Sequence, residues 1–201
     1  MRSLSKWSEA VISCVSFALV FTVVLAVAPA GLRAAGKADP KASEESYNWG
    51  VMLGLQGRYQ EAILEFRKAV ELDPRNALAY NGWGIALSRT GNNKEAVEKF
   101  KIAAGIDPRS PKTYYNWGNA LMEMKDSRGA ETRYKRASEL DPKSEKAYSG
   151  WGMALADQKR YDEAIEKFRV AARLNPGNAK NINGTINGLM KLRAAQAHGG
   201  N

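Results

Sequence analysis

The pattern of apolar and polar positions changes once along the chain. An almost uninterrupted apolar run from Ala10 to Ala30 gives way, after residue 42, to apolar residues spaced three and four apart. Tyr80, Trp83 and Leu87 stand at i, i+3 and i+7, and Ala96, Phe100 and Ala103 at i, i+4 and i+7, so each set lies along one face of a helix. The spacing predicts pairs of amphipathic helices and an all-α fold, with no strand alternation.

These helices repeat. Trp49, Trp83, Trp117 and Trp151 share one phase at a period of 34 residues without insertions, and each precedes a glycine, Gly50, Gly84, Gly118 or Gly152. Leu53, Leu87, Leu121 and Leu155 follow four residues after each Trp. Further on come Ala62, Ala96, Ala130 and Ala164, then Phe66, Phe100, Tyr134 and Phe168, then Ala69, Ala103, Ala137 and Ala171. Pro74, Pro108, Pro142 and Pro176 close the units. The residue before a proline is pushed out of the helical region, so each Asp-Pro or Asn-Pro step ends a helix. Asn76, Ser110, Ser144 and Asn178 are then expected N-caps of the next one, and Gly57 and Gly91 mark turns inside the hairpins.

The order of aromatic, small residue, Leu, Ala, Phe and Pro at these offsets resembles the tetratricopeptide repeat family. The resemblance covers residues 43 to 176, with Trp where the family usually has Leu and Leu where it usually has Tyr. It implies a right-handed superhelical solenoid of antiparallel helix pairs, with units at 43–76, 77–110, 111–144 and 145–178. Residues 179–198 are expected to add a capping helix, because a solenoid needs a solvated end. In that helix Ile182, Ile186 and Leu189, with Leu192 or Arg193, face inward, and Asn181, Asn183, Asn187 and Lys191 face away; the Gly184 and Gly188 spacing would let it lie closely on the last unit. The four tryptophans are expected in the core. Gly129 replaces the glutamate that other units carry as Glu61, Glu95 or Glu163. A mid-helix glycine costs about 1 kcal/mol relative to alanine, so the second helix of the third unit is expected to fray first.

The apolar run, preceded by Arg2 and Lys6, reads as a targeting element over residues 1–35. Sites of the A-x-A type at Ala26–Ala28 and Ala28–Ala30 favour a cleaved signal peptide, and about 20 apolar residues also suffice for an uncleaved membrane anchor. Both readings imply an exported protein, periplasmic or attached to the inner membrane. Arg33, Lys37 and Lys41 rival Arg2 and Lys6 in the positive-inside comparison and leave a cytoplasm-facing anchored form open. Residues 36–42 read as a linker. Cys14 sits inside the apolar run with Val15 to Ala28 after it, so it is structural filler and not a lipid attachment site.

Charge changes the picture little. The chain of 201 residues carries a formal +9, spread as +3 over 1–42, −2 over 43–76, +2, +2 and +1 over the next three units and +3 over the tail. No basic block stands out, and no nucleic-acid partner is expected. No cofactor, metal or catalytic function is expected either. The only His is His198 near the C-terminal end, no phosphate-loop, zinc-protease or nucleophile-elbow motif occurs, and acidic pairs such as Asp162-Glu163 sit where they complement helix dipoles. Asn183-Gly184-Thr185 fits a glycosylation sequon, which matters only in a eukaryotic host.

Chemistry is therefore expected at a surface. In the family the ligand lies in a groove lined by the first helix of each pair. The matching positions are Tyr47, Asn48 and Val51; Asn81, Ile85 and Arg89; Lys112, Tyr115, Asn116, Asn119 and Met122; and Lys146, Ser149 and Met153, with Glu44, Leu55 and Leu78 beside them. Asn can bridge the N–H and C=O of a bound backbone, and Tyr, Ile and Met offer adaptable apolar contact. The family's carboxylate clamp needs a Lys and an Asn one turn apart in the first unit. Tyr47 and Val51 stand there, so an acidic chaperone tail is not expected. The resemblance implies a non-enzymatic adaptor or assembly factor at the bacterial cell envelope that binds a protein or peptide. The alternative is a scaffold self-assembling through its ends. Tyr47-Asn48-Trp49 recurs as Tyr115-Asn116-Trp117, and Gly82-Trp83 as Gly150-Trp151. Groove chemistry that alternates with a 68-residue period would leave this trace, and duplication of a two-unit block, the favoured cause, leaves it without any functional meaning.

Overall fold

A computed structural model describes residues 38–198; the targeting segment expected over 1–35 and its Cys14 lie outside them. The described residues form helices in successive pairs: α1 (Pro40–Leu55) with α2 (Tyr59–Leu72), α3 (Ala77–Arg89) with α4 (Asn93–Ile106), α5 (Pro111–Glu123) with α6 (Ser127–Leu140), and α7 (Glu145–Asp157) with α8 (Tyr161–Leu174). A 3-10 turn, Pro176–Asn178, leads into α9 (Ala179–His198). Each helix packs on its hairpin partner, and each second helix packs on the next unit's first, as in a solenoid. Among the described residues no helix is long and apolar enough to cross a membrane.

The helix boundaries follow from capping. Asn76 accepts from the Ala79 N–H at 2.9 Å, Ser110 from that of Thr113 at 3.4 Å and Ser144 from that of Ala147 at 3.3 Å. Asn178 does not cap α9. Its side chain accepts from Asn181 Nδ2 at 3.1 Å and donates to Glu145 at 3.5 Å, while the 3-10 turn carries the chain into the helix. Pro40 to Ala42, read from the sequence as linker, form the first turn of α1. Asp39 accepts from the Ala42 N–H at 3.0 Å, and Pro40 sits at the first helical position, where its missing N–H costs nothing. The same Asp-Pro step that ends a helix elsewhere opens one here.

The core is a line of alanines and rings. Ala62, Ala96, Ala130 and Ala164 are fully buried, and the rings of Phe66, Phe100, Tyr134 and Phe168 are buried beside them. Phe66 lies between Gly50 of its own unit and Gly82 of the next; a Cβ at either glycine would come within 2.7 or 2.6 Å of the ring. Tyr134 is held the same way between Gly118 and Gly150, at 2.7 and 2.6 Å. Phe100 has a glycine on its own unit's side only, Gly84, because Asn116 stands on the other. The alternation seen in the sequence therefore has a packing content.

Of the four tryptophans expected in the core, Trp83 and Trp117 are 7% and 8% exposed, Trp151 is half-buried and Trp49 is 58% exposed. The cause is position in the array. Trp83, Trp117 and Trp151 each follow a packed unit and stack on Tyr80, Tyr114 and Tyr148 at 6.4 Å. Each also lies under a cation from its own second helix, Lys99 at 3.9 Å, Arg133 at 3.8 Å and Lys167 at 3.9 Å. Trp49 has Ser46 and Glu65 in the corresponding places.

The expectation for Gly129 also changes. It is the third residue of α6, not a mid-helix position, and its N–H donates to Asp126 at 2.9 Å. The N-cap residues of the other second helices, Arg58, Asn92 and Arg160, make no side-chain cap. The helix expected to fray first is thus the one second helix of the four with a side-chain cap. Ile182, Ile186 and Leu189 are buried against α8, as expected, but Leu192 is 51% exposed and Arg193 reaches Asp162 at 2.7 Å. Gly184 and Gly188 have nothing within 4 Å of a Cβ, so they face outward and do not bring α9 closer to the last unit.

Candidate functional site

The first helices line two neighbouring clefts. One, of about 500 Å³, lies between the first two units and contains Tyr47, Val51, Leu55, Asn81, Ile85 and Arg89 from the expected set. The second, of about 310 Å³, contains Ile85, Arg89, Asn116, Asn119, Met122 and Met153. Ile85 and Arg89 belong to both, so the clefts join at α3. Asn48, Lys112, Tyr115, Lys146 and Ser149 line neither. Tyr115 packs on Tyr134 at 5.8 Å and the Ser149 hydroxyl donates to Glu145 at 2.9 Å, so both are turned to structural use. Asn48, Lys112 and Lys146 lie outside the clefts, on the surface of their helices.

The chemistry of the two clefts differs. The first is mostly apolar. Tyr47 leans on Phe66 at 6.0 Å, and Gly54 and Gly82 leave its wall low. Tyr59, at the start of α2, also lines it; it stands outside the expected set because it comes from a second helix. The second cleft is amphipathic. Asn116 Nδ2 donates to Asn81 Oδ1 at 3.2 Å, linking the two clefts by a side-chain amide pair in which Asn81 keeps both its N–H donors and Asn116 keeps one N–H and its carbonyl oxygen. The Tyr134 hydroxyl donates to Asn119 Oδ1 at 2.7 Å. Burial, with Tyr115 and the Glu123 carboxylate nearby, raises the Tyr134 phenol well above its ordinary value, so it stays protonated and a donor. Glu123 and Ser88 complete the wall and also stand outside the expected set. Tyr134 was legible: it is the one hydroxyl among Phe66, Phe100, Tyr134 and Phe168.

This arrangement offers apolar seats, paired amides, one carboxylate and the Arg89 guanidinium. Among the described residues no group of three His, Cys, Asp or Glu side chains could hold a metal ion. Trp83 and Trp117 are too buried to act as stacking platforms for a base.

Sequence profiles described as "Tetratricopeptide repeat" and "TPR repeat" match residues 115–179 and 52–91, together more than half of the chain. The chain belongs to the tetratricopeptide repeat family. Solved structures agree with this tetratricopeptide solenoid. One is pilF of Pseudomonas aeruginosa, with TM-score 0.69, 25% identity, and 77% of this chain and 70% of that chain covered. MamA gives TM-score 0.66 and 23% identity over 78% and 87%. YrrB, described as a TPR protein with an unusual peptide-binding site, gives TM-score 0.59 and 28% identity over 67% and 70%. No curated protein matches the chain. As a tetratricopeptide protein it is an interaction module in fold, and its first helices carry the surface described above.

Proposed function

We propose that this protein holds an extended segment of another polypeptide across the two joined clefts, as an adaptor or assembly factor at the bacterial cell envelope. The observation that carries the reading is the sharing of Ile85 and Arg89 by the clefts, which makes one path from Tyr47 to Met153. Along it an apolar side chain fits beside Val51 and Leu55, the bound backbone meets the amides of Asn81 and Asn116, and Met122 and Met153 adapt to a second side chain. The peptide-binding site of YrrB, a protein of the same fold, supports the class of ligand. The envelope location rests on the basic and apolar pattern of residues 1–35.

A photocrosslinking residue placed at Ile85 or Met122 of the full chain, expressed in cells, tests this. Capture of one protein from those positions, but not from Lys101 on a second helix, is the expected result. Capture from Lys101 alone moves the site away from the groove and overturns the proposal.

A further inference from the structure

The head of the stack keeps the tryptophan but departs from the second unit at three neighbouring positions of the face where one unit meets another. Glu45, Ser46, Trp49 and Met52 stand where the second unit has Ala79, Tyr80, Trp83 and Ala86. Ala79, Ala120, Ala147 and Ala154 are completely buried and Ala86 is 2% exposed, because the preceding unit's second helix lies on this face. Glu45 is exposed and Met52 is 46% exposed. A second helix from another unit cannot approach as closely over Glu and Met as it does over alanine. Regular continuation of the solenoid at this end is therefore blocked. An indole 58% exposed remains on the face, flanked by Glu45 and, in the place of the cations that roof the other tryptophans, by Glu65.

The face calls for a partner surface of low relief that brings positive charge. The other end of the same chain offers one. The outward side of α9 carries Lys180, Asn183, Gly184, Asn187, Gly188 and Lys191, and residues 179–198 contain no acidic residue. The two glycines leave open space between the lysines, and Leu192 adds exposed apolar surface on the same helix. Charge agrees with shape: the first unit is the one negative unit of the four, at −2, and the tail carries +3.

We propose that the Trp49 face of one copy takes the outer face of α9 of a second copy, so that chains associate head to tail. A lysine of α9 then lies over Trp49 as Lys99 lies over Trp83, and Glu45 and Glu65 balance it. Such a contact is heterologous: each copy keeps a free head and a free tail, and chains lengthen with concentration. The contact leaves the groove open and does not depend on its ligand.

Sedimentation velocity on the full chain tests the proposal. The wild type is expected to show mass rising with concentration and falling with added salt. Trp49→Ser, and separately Lys180→Glu with Lys191→Glu, should each weaken association by about tenfold or more. Mixing the two variants decides the topology. The Trp49→Ser copy keeps its tail and the lysine variant keeps its head, so the mixture should give dimers that grow no further. Retention of wild-type association by the lysine variant points to a head-to-head dimer and overturns the proposal. So does a wild type that stays monomeric at all concentrations, as does a Trp49 shielded from acrylamide quenching in the monomer.

Discussion

The Asp126 carboxylate accepts the backbone N–H of Gly129 at 2.9 Å, and a Cβ on residue 129 would come within 2.3 Å of the same carboxylate. The two residues are one device. The first and fourth units use Arg58 with Glu61 and Arg160 with Glu163 at these positions, joined by salt bridges of 2.5 and 2.6 Å. The third unit replaces the charge pair with a cap and the room it needs. Asp126→Ala is expected to cost about 1 kcal/mol of stability. Gly129→Ala alone should change little, because its gain in helix propensity of up to about 1 kcal/mol displaces the capping carboxylate. In the Asp126→Ala background the same substitution should recover that gain. Urea unfolding of the four proteins measures the coupling, and additive effects would break the link.

Gly57, Gly91, Lys125 and Lys159 occupy one position of the repeat, and all four have positive φ, 75°, 83°, 63° and 61°. Glycine reaches this left-handed region without the clash that a Cβ brings. Lys125→Gly and Lys159→Gly should each stabilise the protein by about 0.5–1 kcal/mol, part of the relief being lost to unfolded-state entropy. Thermal unfolding midpoints should rise for both; a fall in either would show that the lysine side chain contributes to the turn.

Arg160 reaches from one unit to the next. It pairs with Glu163 at 2.6 Å on its own helix and with Glu131 of the third unit at 2.7 Å, where Gln158 also donates to Glu131 at 2.9 Å. Arg58 has only Glu61 and Gln56, near it in sequence. Arg160→Ala should therefore lower the unfolding midpoint more than Arg58→Ala, since it leaves the half-buried Glu131 without its cation. The hydrogen bond from Arg160 holds the Glu163 carboxyl below its ordinary value of 4.5. A carboxyl lowered in the folded state stabilises above its unfolded pKa and loses that contribution as pH falls through the folded one. The gap between wild type and Arg160→Ala should accordingly stay constant from neutrality to about pH 5 and narrow below it. A gap that does not vary with pH would leave the packing of the arginine stem as its cause.

Asn116 donates to Asn81 across the boundary between the second and third units. Removing both leaves no orphaned amide, so Asn81→Ala with Asn116→Ala should leave the unfolding midpoint nearly unchanged. Binding of the captured partner should weaken. A lowered midpoint with unchanged binding would make the pair a structural clasp.

Much of the fold was legible because the determinants are local and repeated. Pro74 and Asn76, or Pro108 and Ser110, fix where one helix stops and the next starts, and the ring and alanine spacing fixes which face turns inward. What was not legible depends on neighbours. Trp49 has the same local sequence as Trp117 and a different environment, because no unit precedes it among the described residues. Gly184 and Gly188 have the spacing of a packing motif, yet the burial of Ile182, Ile186 and Leu189 turns them outward. The lining of the clefts was legible in Asn81, Ile85, Asn116, Asn119, Met122 and Met153, though not in Asn48, which lines neither. Its Tyr115 and Ser149 were not separable from it, because each is engaged by a residue reached only in three dimensions or one turn away. Asp126 and Gly129 changed together relative to Arg-x-x-Glu, a signal that the sequence carries in the pair and not in Gly129 alone.

The seating of Phe66 and Tyr134 between two glycines, beside the one-sided seat of Phe100, determines how an array of this kind can change in length. Phe100 beside Asn116 shows that a ring of this array also packs against an asparagine. Removing the second unit would set Phe66 against Asn116, and removing the third would set Phe100 against Gly150, each a phenylalanine pairing of a kind that the solenoid already contains. The 34-residue unit is thus a step by which this solenoid can be shortened with its ring seats kept.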